Sequence, residues 1–172
     1  EVGTVRVTDP VGPDEYGYYI YDSNDSDYSL KPTYEWIDIE DIGTPLNSVN
    51  GDDGDNQDDS QVLDLPFTFK FYGQDYQQIT VCSNGWISFG ATSEAWNNQP
   101  VFDEDSPRGA IFAFWDDFNP ENEESNSGQG QIKYHSNNDR TVIWYDNVIH
   151  WTGDDRVFDF QVVLYPSGKI KV

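Results

Sequence analysis

The sequence predicts an all-β fold, a two-sheet antiparallel sandwich or jelly roll with long acidic loops, and three observations carry that expectation. No window places apolar residues at i, i+3, i+4 and i+7 over three turns without an interrupting Gly, Pro or Asp cluster, so helices are not expected. Short runs rich in Val, Ile, Tyr, Phe and Trp recur along the chain, each bounded by turn residues. The longest of them, Val62 to Tyr72, puts Leu63, Leu65, Phe67, Phe69 and Phe71 on one face and Asp64, Thr68 and Lys70 on the other, the period of a strand with one face in a core. A closed barrel is the alternative architecture.

In chain order, Val5 to Val7 opens with alternation, Tyr18 to Tyr21 is a short aromatic strand, and Tyr34 to Ile39 alternates Tyr34, Trp36 and Asp38 against Glu35, Ile37 and Ile39. After Val62 to Tyr72, a turn at Tyr72-Gly73-Gln74-Asp75 leads to a strand at Gln78 to Cys82. The favoured Asn-Gly pair in Ser83-Asn84-Gly85 then leads to Trp86 to Phe89, completing a meander. Ala110 to Trp115, Gln131 to Tyr134, Thr141 to Tyr145, Val157 to Tyr165 and Lys169 to Val172 are the remaining strands. Long polar loops at 22–32, 47–61, 91–108 and 119–130 separate them, and loops of such length are usually functional or ordered by metal.

At 172 residues the chain is expected to form one domain, over 1–172. Thirty-two Asp and Glu against nine Lys and Arg give a net charge of −23, while the aromatic fraction of 16% is far above that of a disordered acidic tail. Such a field repels nucleic acid and anionic lipid and attracts cations. No apolar run approaches the roughly 18 to 20 residues that cross a bilayer, so membrane insertion is not expected. The chain starts without Met and ends in mid-strand, and is read as a piece of a longer exported polypeptide.

Clustered carboxylates are the hard oxygen ligands that Ca²⁺ prefers, and two loops supply them. Asp22, Asn24, Asp25 and Asp27 lie in one. The other, residues 50–60, holds five carboxylates in eleven residues, among them Asp52, Asp55, Asp58 and Asp59, with glycines that permit sharp bends. Neither matches the EF-hand, because no glutamate closes the loop. Asp116 and Asp117, after an apolar strand and beside Trp115, are a third acidic site, suited equally to ligation and to anchoring nearby backbone N–H groups. Calcium is the expected cofactor.

Trp96, in the polar run Ser93 to Gln99, and Trp151, beside His150, are the candidates for an exposed aromatic that stacks on the apolar face of a sugar ring. Trp36, Trp86, Trp115 and Trp144 fall inside strand patterns and are assigned to the core. Catalytic residues are not expected. A glycosidase pair could be nominated from Glu35, Glu94 and Asp159, but among 32 carboxylates some pair always can. His135 and His150 have no zinc-type spacing, and the lone Cys82 reads as a buried small hydrophobe.

The run Leu65-Pro66-Phe67-Thr68-Phe69-Lys70-Phe71-Tyr72-Gly73, followed by Ser83-Asn84-Gly85-Trp86-Ile87-Ser88-Phe89-Gly90 and by Phe114-Trp115-Asp116-Asp117, resembles the nidogen-type extracellular domain as it occurs in large secreted bacterial proteins. The segments Tyr16 to Asp22, Tyr34 to Ile37 and Phe160 to Gly168 are similar to flanking parts of such modules. The resemblance implies a secreted or cell-surface, non-catalytic accessory module, acting in adhesion or in filament or surface assembly, often beside protease and sorting domains. The chain departs from animal nidogen domains in lacking paired cysteines and in its extra acidic loops, so matrix-binding roles are not carried over. Extracellular protein or glycan is the expected partner, with self-association through open strand edges as a further reading. A carbohydrate-binding module or a degenerate jelly-roll glycoside hydrolase is the alternative.

Overall fold

A computed structural model describes residues 10–49, 58–90, 95–100, 103–120, 130–152 and 156–172. The expected strand at Val5 to Val7 lies outside them. The chain divides into two compact units, one ending at Ile37 and one from Asp38 to Val172. Among the described residues ten strands are formed, all in the second unit, and none of these residues is helical.

One sheet is a meander of four strands in sequence order: β2 (Ser60–Phe71), β3 (Gln74–Cys82), β4 (Trp86–Ser88) and β5 (Ala110–Phe112). The other has six, with β1 (Thr44–Pro45), β7 (Gln131–Asn137), β8 (Arg140–His150), β9 (Val157–Leu164) and β10 (Ile170–Lys171) side by side and β6 (Phe118–Asn119) paired to β8. Every pairing is antiparallel. The sheets remain open, which makes the architecture a sandwich and not a barrel.

The alternation in β2 does what its period requires. Leu63, Leu65, Phe69 and Phe71 are buried, Asp64, Pro66, Thr68 and Lys70 are exposed, and Phe67 is half-buried where the register slips between Asp64 and Phe69. Burying each such side chain stabilises by about 1.5–3 kcal/mol. Phe71 pairs with Gln74, so the β2–β3 turn is the two-residue Tyr72-Gly73, both at positive φ (45° and 77°). That geometry follows the twist of the strands it joins. Phe89 stacks on Phe69 and Phe71 at 5.2 and 4.4 Å.

The two sheets are fastened through Tyr145 of β8. It is fully buried, stacks on Phe160 at 4.4 Å, and donates its hydroxyl to the Cys82 carbonyl at 2.7 Å, with Trp86 O at 3.3 Å. Nearby in sequence, Lys133 is buried between Asp146 (3.0 Å) and Glu40 (3.2 Å) and lies over the Trp144 ring. Burial works to lower its pKa, but the two carboxylates outweigh burial and raise it.

Three expectations are corrected. Tyr34 to Ile39 is not strand and Trp36 is exposed rather than in the core, because a period of two fixes which side chains share a face but not whether that face is covered. Ala110 to Trp115 is strand only to Phe112, since from Phe114 onward the backbone turns to bond the 84–85 turn. Tyr18 to Tyr21 contributes only an isolated bridge, Val11 to Ile20.

Candidate functional site

The Ser83-Asn84-Gly85 turn and the Phe114 to Phe118 segment, about thirty residues apart in sequence, meet at one end of the sandwich. Gly85 sits at φ +75°, and a Cβ there would lie 1.9 Å from Phe114 O. Only glycine admits that approach. Gly85 O accepts from Phe114 N at 3.1 Å and Asn84 O from Asp116 N at 3.3 Å. The fully buried Asn84 side chain accepts from Phe118 N at 3.0 Å and donates to Asp58 Oδ1 at 2.9 Å. Ser83 and Asp59 bond each other twice, Ser83 N to Asp59 O (2.9 Å) and Asp59 N to Ser83 Oγ (3.3 Å). The C-terminal end of the second acidic loop is thus stitched to this turn.

Asp116 and Asp117 continue the cluster. Asp116 Oδ1 accepts from Asp117 N at 3.0 Å and lies 3.7 Å from His150 Nε2, while Asp117 O accepts from Trp151 N at 2.9 Å. Thr152 N donates to His150 Nδ1 at 3.2 Å, which assigns the proton of the neutral ring to Nε2, facing Asp116. The Asp116 carboxylate thus holds the Asp117 backbone N–H, and Asp117 holds Trp151 through its backbone carbonyl.

The loops of both aromatic candidates are hydrogen-bonded to that segment. Trp86 and Trp115 both donate their indole N–H to Ala95 O at 3.0 Å, and Asn98 bonds Trp115 O, which holds the loop that carries Trp96. Trp96 is 51% exposed and Trp151 44%, with Phe114 also exposed. Trp86 and Trp144 are buried as expected, and Trp115 is half-buried. His135 lines an open groove of about 380 Å³ with Asp64, Pro66 and Tyr134.

In the first acidic loop, Asp22 and Asn24 are exposed and Asp27 likewise, whereas Asp25 is 3% exposed. Asp25 Oδ2 accepts from Asp22 N at 2.7 Å, and Asp22 Oδ1 from Asn24 N at 2.6 Å. Asp25 Oδ1 has no hydrogen-bond partner among the described residues. Asp52 and Asp55 lie outside the described residues. Among those described, no three His, Cys, Asp or Glu side chains converge as a metal held chiefly by them would require.

Sequence reasoning missed Asn84, whose side chain joins three segments. Its signal was present, since it stands in the same signature as the Asp116-Asp117 pair it meets. A family model described as NIDO related matches residues 27–172. The chain belongs to the NIDO-related family. This NIDO-related chain is thereby an extracellular module of some kind, and the turn and strand-end motifs that carried the resemblance are the ones that close the end of its sandwich. No curated protein and no solved structure matches the chain significantly. No helix among the described residues is long and apolar enough to cross a membrane.

Proposed function

We propose that the chain is a non-catalytic, calcium-stabilised module of a secreted or cell-surface protein, which binds an extracellular protein or glycan in adhesion or surface assembly. The observation that carries this reading is the exposure of Trp96 and Trp151 on loops tied by hydrogen bonds to the Trp115 to Asp117 segment. Rigid aromatic side chains with little entropy to lose are what recognition surfaces use. The non-catalytic part is supported by the nucleophiles. Burial pushes the Cys82 thiol up to about 12, which leaves it protonated at neutral pH, and Tyr145 is buried and committed to a carbonyl. Calcium is supported by the net charge of −23 and by the loop at 22–27.

The specific alternative is sugar binding, favoured by Trp96 lying beside Asn97 and Gln99, side chains of the kind that satisfy hydroxyls. A glycan array probed in millimolar calcium with the wild type and the Trp96→Ala/Trp151→Ala variant separates the two. Sugar binding predicts a wild-type signal that falls at least ten-fold in the variant. A protein partner predicts an empty array, with a tryptophan-dependent partner captured from extracellular material instead. Binding that the double variant retains in full contradicts the assigned surface.

A further inference from the structure

From these features we infer that the loop Asp22 to Tyr28 holds one divalent cation, calcium at extracellular concentration, seated on Oδ1 of Asp25. The inference rests on the calcium reading above and locates it. Two observations meet there. The loop is acidic, and residues 10–37 hold six carboxylates (Asp14, Glu15, Asp22, Asp25, Asp27 and Glu35) against one cation, Lys31, a formal charge of −5. Independently, Asp25 is nearly inaccessible, its carboxyl is turned back into its own loop by the bond from Asp22 N, and its other oxygen is left without a hydrogen-bond partner among the described residues.

A buried carboxylate oxygen with no donor is costly unless a cation or a proton meets it. A hard divalent ion is the group that such a loop is equipped to take. It needs six to eight oxygens, which backbone carbonyls, amide side chains such as Asn24, exposed carboxylates and water supply as readily as a ring of buried acids. With one buried carboxylate and not three at its centre, the site belongs in the weak class of extracellular modules, with a Kd of about 10⁻⁴–10⁻³ M. Asp22 and Asp25 lie before residue 27, where the family match starts, so the family match itself does not assign this site.

The test is a Ca²⁺ titration of the uniformly ¹⁵N-labelled 172-residue chain, followed residue by residue, beside the isosteric Asp25→Asn. Expected are amide shifts over 22–28 that saturate with a midpoint of about 0.1–1 mM, and a midpoint at least ten-fold higher in Asp25→Asn. Shifts confined to other loops overturn this placement and leave the calcium reading standing. A titration that moves nothing overturns both. An unchanged midpoint in Asp25→Asn also overturns the placement, and if that variant misfolds, the wild-type titration decides alone.

Discussion

At the end of the sandwich, Asp58 and Asp116 each accept from a protein N–H, the first from Asn84 and the second from Asp117, and His150 stands beside Asp116. In the loop at 22–28, Asp25 is more deeply buried than either, yet among the described residues only one of its two oxygens is met. Both regions read alike in sequence, as acidic runs beside aromatics. The difference is the partner: a carboxylate with its donors supplied is a fastener, and one buried without them calls for a ligand.

The fastener side predicts the largest effects. Gly85→Ala forces a Cβ onto the Phe114 carbonyl at positive φ and is expected to cost about 3 kcal/mol or more, read as a lower urea midpoint. A cost under about 1 kcal/mol would mean that the turn and the strand end move independently. Next, Asn84→Ala removes the acceptor of Phe118 N and one donor to Asp58 and is expected to cost about 1–3 kcal/mol, equally in calcium and in EDTA. A calcium-dependent cost would transfer the ion to this end and erase the contrast. Tyr145→Phe removes the hydroxyl that bridges the sheets and should cost about 0.5–1.5 kcal/mol, again independent of calcium.

The smallest effect at neutral pH concerns protons. Cys82, Tyr145 and Lys133 all have folded pKa values raised above their ordinary 9.0, 10.0 and 10.5, the first two mainly by burial and the third by Asp146 and Glu40 against burial. The folded chain thus holds more protons than the unfolded one above those values, so the stability is fully present below pH 9 and is lost as pH rises. Urea midpoints should be flat from pH 7 to 9 and then fall, with Cys82→Ala delaying the start of the fall towards pH 10. A flat profile to pH 11 would contradict this.

Much of the fold was legible because its strands announce themselves locally. The β2 alternation, the Asn-Gly pair and the aromatic runs of β8 and β9 need no distant partner to be recognised. The two-residue strands Thr44–Pro45 and Phe118–Asn119 were not legible, since their extended form is imposed by β7 and β8. Tyr34 to Ile39 failed because alternation marks which residues share a face without deciding whether that face is covered. At the sites, the sequence named Trp96 and Trp151 as exposed because polar neighbours surround them. It could not single out Asp25 among Asp22, Asp25 and Asp27, because burial of one carboxylate in a polar run leaves no mark on composition.

The comparison between the two acidic regions is tested most directly by amide hydrogen exchange of the intact chain in millimolar calcium and in EDTA. The account predicts calcium-dependent protection over 22–28 and none at 83–85 or 114–118, where the protein supplies its own donors. Protection that changes at 83–85 and 114–118 instead, or at neither region, would contradict it.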